Sequence, residues 1–275
     1  MKKIIIFFVI LIFLLVSILL YSRYIGTKGL NIKEYKITYQ ELNKEFYGLK
    51  IVHLSDILYG KTINKEELEE IVSKVNLTKP DIVVLTGDLL SNSNIKEDEL
   101  IELLSKIEAR IGKFAIKGDN DNDNWENIIN SSDFKNLNDT YDLIYTSDHN
   151  YLLIAGISSN ANDSNIDQKL QSTYDFINSS EIKPNYSILI MHEPDFIDKI
   201  NYDSFNLVLA GHSLGGQIKI PFIGALIKPK NGTKYYNDYY EIKKTKLFVS
   251  SGLGTNKYSF RLNNHPSFNL YRLTN

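Results

Sequence analysis

Five carboxylate and imidazole side chains each follow an apolar run of the sequence. They are Asp56 after "LKIVHLS", Asp88 after "DIVVLTG", Asp119 after "KFAIKG", His192 after "YSILIM" and His212 after "FNLVLAG". A single Asp at the end of a strand is commonly a turn former or a helix cap. Five side chains of the two types that ligate hard and borderline cations are harder to assign to turns. The pattern therefore predicts a divalent-metal site.

The runs that precede these residues are typical of buried β-strands, and amphipathic helices are predicted between them. Asn64 and Glu67 form a capping-box pattern at the start of the first helix. The apolar helix faces are formed by Leu68, Ile71, Val72 and Val75, by Leu100, Leu103, Leu104 and Ile107, and by the segment 166–177. Alternating strands and helices predict an α/β layered fold. Ligands collect at the carboxyl ends of strands in such sheets, which is where the five residues lie.

The N-terminus carries a long apolar segment, from Ile4 to Ser22, that follows Lys2 and Lys3. It has no polar face and is long enough to cross a bilayer core of roughly 30 Å as a helix. No small-residue cleavage pattern ends it, so an uncleaved anchor is favoured over a signal peptide. We expect a membrane anchor over residues 1–25 and one domain over residues 26–275.

The charges around the anchor bear on its orientation. Lys2 and Lys3 favour a cytoplasmic N-terminus, with a single pass through the cell membrane and an extracytoplasmic domain. Arg23 and Lys28 oppose that orientation. The two pairs of charges oppose each other, and the orientation that we predict is the one with an extracytoplasmic domain.

The composition excludes several classes of function. The net charge is −2, which provides no electrostatic basis for binding nucleic acid. There is no cysteine, so disulfides, thiolate metal sites and a cysteine nucleophile are all excluded. With 43% hydrophobic residues, the chain can bury a sizeable core.

The ordered blocks "LSDIL", "TGDLL", "KGDND", "MHEPD" and "AGHSLGGQ" resemble those of the calcineurin-like metallophosphoesterases. The corresponding family motifs read D-x-H, G-D, G-N-H-D, a lone His and G-H-x-H-G-G-Q. The segments "IPFIG" and "LFVSSGLGTNKYSFRLNN" are most similar to the membrane-anchored bacterial branch. The resemblance spans roughly Leu49 to Leu273. It implies a four-layer αββα sandwich, with two mixed sheets flanked by helices, and hydrolysis of a phosphomonoester or phosphodiester.

The resemblance also implies two metal positions, and this sequence departs from the family at one of them. The ligands of the first ion correspond to Asp56, Leu58, Asp88 and Leu214. Those of the second ion correspond to Asp88, Asp119, His192 and His212. Leucine cannot ligate a metal, so two ligands are lost from the first position and none from the second. We predict that Leu58 and Leu214 pack against each other and fill the vacated volume.

A single-metal phosphoesterase is the function that this pattern favours. The predicted metal ligands are Asp56, Asp88, Asp119, His192 and His212, of which Asp56 is either a weak ligand or a hydrogen-bond acceptor beside the others. The candidate catalytic residues are Asn120 and Asp56. The ligand types suit Mn, Fe or Zn. Asn120 replaces the histidine of G-N-H; it can donate a hydrogen bond but cannot deliver a proton, and a general acid typically contributes about 10²–10⁴ in rate. The substrate is a phosphoester, and the anchor favours a lipid-linked one by location alone.

Two other functions remain open at this stage. Leu58, Asn120 and Leu214 are also compatible with a catalytically inactive, membrane-tethered binding protein of the same fold. The segment "GHSLG" matches the nucleophile elbow of serine α/β-hydrolases, with a candidate triad of Ser213, Asp238 and His265. An elbow requires a helix directly after the serine, whereas "GGQIKIPFIG" predicts a turn and a strand.

Several other polar and aromatic residues are assigned structural roles. His53 lies within a predicted strand and is expected to be a hydrogen-bonded core residue. Asp121 and Asp123 are expected to be solvated turn formers, although Asp121 matches the last Asp of the family motif. Tyr59 and Trp125 are expected near the mouth of the site. His149 and His265 are expected to be exposed.

Overall fold

The structure, a computed structural model, describes residues 1–91, 95–147, 150–159, 165–256 and 258–275. His149 lies outside these residues. The described α-helices are α1 (Lys2–Leu20), α2 (Lys65–Leu77), α3 (Glu97–Ser105), α4 (Trp125–Ser131) and α5 (Gln171–Ser179). A π-helical turn, Tyr21–Ile25, extends α1.

The first sheet contains six strands with mixed directions. In spatial order they are β1 (Asn31–Thr38), β14 (Ser267–Thr274), β2 (Lys50–Leu54), β3 (Ile82–Thr86), β4 (Gly112–Ile116) and β5 (Lys135–Asn136). β2, β3, β4 and β5 run parallel to one another, and β14 is antiparallel to β2. The parallel strands therefore carry the residues that follow them to one edge.

The second sheet also contains six strands. In spatial order they are β12 (Tyr239–Ile242), β13 (Thr245–Val249), β9 (Leu207–Ala210), β8 (Tyr186–Met191), β7 (Asn150–Ile157) and β6 (Thr140–Ser147). Its four central strands are parallel, and the outer two are antiparallel to their neighbours. A separate hairpin pairs β10 (Lys219–Ile220) with β11 (Gly224–Ala225).

Three apolar clusters produce a four-layer arrangement. Alternate residues of β3 show the division: Ile82 and Val84 belong to the core between the sheets, and Val83 and Leu85 to the core under α2, α3 and α4. A third cluster covers the outer face of the second sheet with α5. Because both faces of the central strands are buried, they read as continuous apolar runs. The predicted αββα sandwich with two mixed sheets is confirmed.

The local signals for α2 are confirmed in detail. The Asn64 side chain accepts the Glu67 N–H at 2.9 Å, and the Glu67 carboxylate accepts the Asn64 N–H at 3.1 Å. The helix buries Leu68, Ile71 and Val72 on one face. The segment 166–177 differs from its prediction, since it begins with a 3₁₀ turn, Ile166–Leu170, before α5.

The apolar N-terminal helix and its π-helical turn run from Lys2 to Ile25. This helix has the length and composition to cross a membrane. Among the described residues, no other helix has both. The C-terminal end of this helix is attached to the domain. The Ser22 carbonyl accepts the Arg261 N–H at 2.9 Å, and Gly26 is buried against the Arg261 carbonyl.

Candidate metal centre

Four of the predicted ligands converge between the two sheets. Asp88 and Asp119 follow β3 and β4 of the first sheet, and His192 and His212 follow β8 and β9 of the second. One ligand atom from each lies within 4.8 Å of the others. His192 Nε2 is 3.0 Å from Asp119 Oδ1 and 3.4 Å from Asp88 Oδ1. His212 Nδ1 is 3.2 Å from Asp119 Oδ1.

Backbone carbonyls orient both imidazoles. His192 Nδ1–H donates to the Thr86 carbonyl at 2.7 Å, and His212 Nε2–H donates to the Lys230 carbonyl at 2.8 Å. When both imidazoles are neutral, His192 Nε2 and His212 Nδ1 carry lone pairs that face each other across 3.2 Å. Two lone pairs at that distance do not attract each other, whereas both can bind a cation. Carbonyl partners of this kind are the usual support of metal-ligating histidines, so the residues fit a divalent ion.

The charge distribution supports the same interpretation. Burial alone raises the pKa of Asp119, but hydrogen bonds from the two imidazoles in their protonated forms outweigh it and hold that pKa well below its ordinary range. Burial lowers the pKa of His192, yet the charge of Asp88 and the hydrogen bond with Asp119 raise it well above its ordinary value. The centre therefore attracts positive charge, and two carboxylates with two imidazoles suit Mn, Fe or Zn.

Asn120 fixes the Asp88 carboxylate from both sides. Its backbone N–H donates to Oδ1 at 2.9 Å, and its side-chain amide donates to Oδ2 at 2.6 Å. Asp88 has a φ of 54°, a left-handed conformation that Asp tolerates better than most residues. The Asn120 amide is thus engaged with a ligand rather than extended across the site.

Asp56 lies beside the four-residue group. It is 1% exposed, and its Oδ2 accepts the Ser55 hydroxyl and, at 3.1 Å, the His212 N–H. Burial raises the pKa of Asp56 to about 6, and the charge of Asp88 adds to that shift. The predicted role as an acceptor beside the ligands matches these contacts. Its role as a weak ligand stays a prediction.

The two leucines at the predicted first metal position share an uncommon backbone conformation. Leu58 and Leu214 are both buried and both have a φ of 50°. A left-handed φ costs a non-glycine residue roughly 1–2 kcal/mol. A β-carbon added at Gly252 would meet Leu214 Cδ2 at 2.6 Å and Asp56 Cβ at 2.9 Å, so Leu214 occupies the space next to Asp56. Direct packing of Leu58 on Leu214 stays a prediction.

Asp121 has a structural role that the sequence did not reveal. It is 8% exposed, and it accepts the N–H groups of Asp88, Leu90 and Gly118 at 2.9, 3.0 and 2.8 Å. Burial raises its pKa to about 7. The prediction of a solvated turn former was wrong, because this carboxylate joins the loops after β3 and β4. Asp123, two residues later, is exposed as predicted.

The remaining candidate residues are His53, Tyr59, Trp125 and His265. His53 is a core residue as predicted, with Nε2 2.7 Å from Thr86 Oγ1. Tyr59 and Trp125 are buried at 5% and 1% exposure, so they are not surface aromatic residues, and their position near the mouth of the site stays a prediction. Tyr59 OH donates to Glu99 at 2.7 Å, and Trp125 packs as the first residue of α4. His265 is half-buried rather than exposed.

The loop at Ser213 lacks the features of a nucleophile elbow. Ser213 is 1% exposed, and its Oγ accepts the Gly215 N–H at 3.2 Å. A single 3₁₀ turn, Leu214–Gly216, follows it instead of a helix. Asp238 binds Lys33 Nζ at 2.8 Å. In this described loop, the arrangement of a serine hydrolase is not formed.

A cleft of about 160 Å³ opens beside Asp119 and His212. Asn120 also lines it. The other lining residues were not identified from the sequence: Glu193, Pro229, Lys230, Asn231 and Asn256. Ammonium and amide donors suit phosphate oxygens. Lys230 and Asn231 follow "GALIKP", a segment whose position next to His212 depends on the fold and not on spacing.

Comparison with known proteins agrees with this geometry. The family described as calcineurin-like phosphoesterase matches residues 49–216, more than half of the chain. The protein belongs to the calcineurin-like phosphoesterase family. The metallophosphoesterase YkuE of Bacillus subtilis is 28% identical over 262 residues, which cover 92% of this chain and 88% of that protein.

Two further relatives define the extent of the similarity. A Danio rerio protein named transmembrane protein with metallophosphoesterase domain is 23% identical over 80% of this chain. This chain spans about half of its length, 52%. The crystal structure of TT1561 from Thermus thermophilus has a TM-score of 0.50 at 15% identity, covering 75% of this chain and 90% of that one. At that identity the likeness concerns the fold.

Proposed function

We propose that this protein is a membrane-anchored, metal-dependent phosphoesterase that hydrolyses a phosphomonoester or phosphodiester with one divalent ion. The observation that carries the proposal is the convergence of Asp88, Asp119, His192 and His212, with both imidazoles oriented by backbone carbonyls. At the first metal position of the family, this chain has leucine, Leu58 and Leu214, in place of two ligands. One ion held by these four residues is therefore the arrangement that we propose.

In this proposal the protein's own residues hold the metal ligands and the substrate in place. A bound divalent ion supplies polarisation of a phosphoryl oxygen and a lowered pKa for water. Asn120 holds the Asp88 carboxylate, and the Thr86 and Lys230 carbonyls hold the imidazoles, so the ligands are ordered before substrate arrives. Lys230 and Asn231 line the cleft, and an ammonium and an amide are groups that suit phosphoryl oxygens.

The proposed chemistry has a limit that follows from Asn120. An amide cannot transfer a proton to a leaving alkoxide, so phosphoesters of acidic alcohols should react faster than those of ordinary alcohols. Asp56 is a second candidate catalytic residue. Because its pKa is raised to about 6 and its Oδ2 is held by the His212 N–H, we assign it the support of the His212 loop.

Membrane anchoring is part of the proposal. It is supported by the apolar helix from Lys2 to Ile25 and by the name of the Danio rerio relative, a transmembrane protein with a metallophosphoesterase domain. We propose a single pass through the cell membrane with the domain outside the cytoplasm, since Lys2 and Lys3 lie at the N-terminal end of the helix. A phosphoester carried by a lipid is the substrate that this location favours.

Turnover of bis(p-nitrophenyl) phosphate by the full-length protein in detergent, with Mn²⁺, tests the proposal. We expect release of p-nitrophenol that EDTA abolishes and that His192→Ala reduces at least about 100-fold, because a ligand is lost. His265→Ala, a histidine outside the cluster, is the matched control and should retain activity. Release that persists in His192→Ala would contradict the proposal.

A non-catalytic binding protein is the second candidate function. The observation that favours it is the filling of the space beside Asp56 by Leu214. Such a protein would bind one Mn²⁺ per chain and would bind phosphoesters without hydrolysing them. Metal binding lost in His192→Ala, together with no turnover of any phosphoester by the wild type, would favour this function over the enzyme.

A further inference from the structure

The hairpin of β10 and β11 exposes a compact set of large apolar side chains. Phe222 is 109% exposed and Ile223 is 72% exposed at its tip, and Leu226 and Ile227 are 55% and 40% exposed just after it. Each strand of the hairpin has only two residues, and it pairs with no other strand of the described structure. Large apolar side chains grouped in this way mark an interaction surface rather than a packed core.

The backbone of the hairpin tip presents this surface outward. Phe222 has a φ of 67°, an unfavourable conformation for a bulky residue. Strain of this kind persists only where the surrounding structure or a partner offsets it. Within the described protein Phe222 is fully exposed, so its ring gains no burial there.

The charges on the segment indicate the kind of partner. Residues 218–230, "IKIPFIGALIKPK", contain Lys219, Lys228 and Lys230 and no acidic residue. An apolar hairpin tip flanked by lysine residues is the pattern of segments that lie in the interface of an anionic bilayer. A protein partner with an apolar pocket would not require the basic residues.

The attachment of the hairpin links it to the membrane anchor. At its base the Lys219 N–H donates to the Leu262 carbonyl at 2.9 Å, and the Asn263 side chain donates to the Lys219 carbonyl at 3.0 Å. The residue before Leu262, Arg261, donates its N–H to the Ser22 carbonyl at the end of the anchor. One short segment, 261–263, therefore holds both the anchor and the hairpin.

The segment on the other side of the hairpin reaches the metal centre. Lys230 lies three residues after Ile227, and its carbonyl accepts His212 Nε2–H. Pro229 and Lys230 also line the cleft beside the cluster. A hairpin seated in lipid would thus bring the cleft to the membrane surface.

We propose that the β10–β11 hairpin is a second membrane contact, which inserts Phe222, Ile223, Leu226 and Ile227 into the interfacial layer of the bilayer to which the anchor belongs. This inference rests on the proposed membrane anchoring. It accounts for the exposed tip, the strained backbone of Phe222 and the lysine residues that flank the tip. It assigns the protein a substrate in the membrane interface rather than one free in solution.

Single-cysteine labelling tests the proposal, because the chain contains no cysteine of its own. Full-length Ile223→Cys is labelled with an environment-sensitive nitrobenzoxadiazole dye and reconstituted into phosphatidylcholine vesicles containing phosphatidylglycerol. Lipids with a nitroxide on the acyl chain report contact with the bilayer by quenching the dye. Leu11→Cys, in the anchor, and Leu77→Cys, exposed at the end of α2, are labelled in parallel.

We expect strong quenching at positions 11 and 223 and none at position 77. Phe222→Asp with Leu226→Asp, introduced into Ile223→Cys, should abolish the quenching at 223; Tyr145→Asp, on β6, should leave it unchanged. Quenching at 11 without quenching at 223 would overturn the hairpin contact and leave anchoring intact. Absence of quenching at position 11 would overturn anchoring itself, and with it this inference.

Discussion

Each ligand of the candidate centre depends on a specific neighbour. His192 and His212 are oriented by carbonyls, and Asp88 by the amide of Asn120. Asp119 is the exception, since the two imidazoles themselves are its partners and its side chain is 27% exposed. The carboxylate that replaces the family's asparagine is therefore the ligand least constrained by the protein and the one that adds charge.

Asp119→Asn tests the contribution of that added charge. The substitution keeps an oxygen ligand and removes one negative charge, so we expect Mn²⁺ affinity to fall about 10- to 100-fold. Competition with a fluorescent chelator measures the dissociation constant. Asp123→Asn, in the same loop but fully exposed, should leave affinity unchanged. Equal affinity in both variants would contradict the contribution of the added charge at Asp119.

Asn120→His tests the proposed lack of a general acid. A histidine there can transfer a proton, so turnover of phosphoesters with poor leaving groups should rise relative to p-nitrophenyl esters. The gain should approach at most about 10²-fold, because the histidine also gives up the amide contact with Asp88. Asn120→Ala, which loses the same contact, is the control for that cost. An unchanged ratio of rates would contradict the assignment.

The loops after β3 and β4 show how far sequence reasoning reaches. The apolar runs predicted the strands, the terminal Asp and His residues predicted the cluster, and Asn64 with Glu67 predicted the start of α2. The role of Asp121 was missed, because three N–H groups from two separate loops meet it only after folding. The burial of Trp125 was missed for a similar reason: α4 has seven residues and too little periodicity to be recognised.

Asp121→Asn should be strongly destabilising. Above pH 7, where Asp121 is ionised, an amide turns one of its two accepting oxygens into a donor that faces an N–H group, and hydrogen bonds to a charged group contribute about 1.5–3 kcal/mol each. We expect a loss of at least about 2 kcal/mol in the free energy of unfolding. Denaturant unfolding, followed by fluorescence of the single tryptophan, Trp125, measures it. Asp123→Asn should change stability little, and a similar small effect at Asp121 would contradict its bridging role.

His53 should make the stability depend on pH. Burial lowers its pKa to about 3, whereas a histidine in the unfolded chain titrates near 6.5. Between these values the unfolded state binds a proton that the folded state does not. The stability that neutral His53 provides is present above about pH 6.5 and is lost, by about 1.4 kcal/mol per pH unit, as the pH falls through this range.

Comparison with His53→Gln isolates this effect. Glutamine can hydrogen-bond Thr86 and does not titrate, so the variant should lose less stability than the wild type between pH 6.5 and 4.5. Other groups that titrate in this range contribute equally to both proteins and cancel in the difference. Parallel pH profiles for the two proteins would show that His53 is not held neutral in the folded state.

The molecule as a whole combines one centre and two proposed membrane contacts. Each sheet contributes two ligands, so the cluster forms only when the sheets pack together. The family and the four-layer fold were predictable, because ordered sequence blocks carry them. The docking of Ser22 and Gly26 on Arg261 was not, since these residues are far apart in sequence and meet only in the packed structure.

The metal content of the purified full-length protein tests the central claim most directly. After loading with Mn²⁺ and removal of free metal, elemental analysis should find one ion per chain in the wild type and almost none in His192→Ala. His265→Ala should retain one ion. Two ions per chain would contradict the loss of the first metal position at Leu58 and Leu214. No bound ion in the wild type would contradict the metal centre itself.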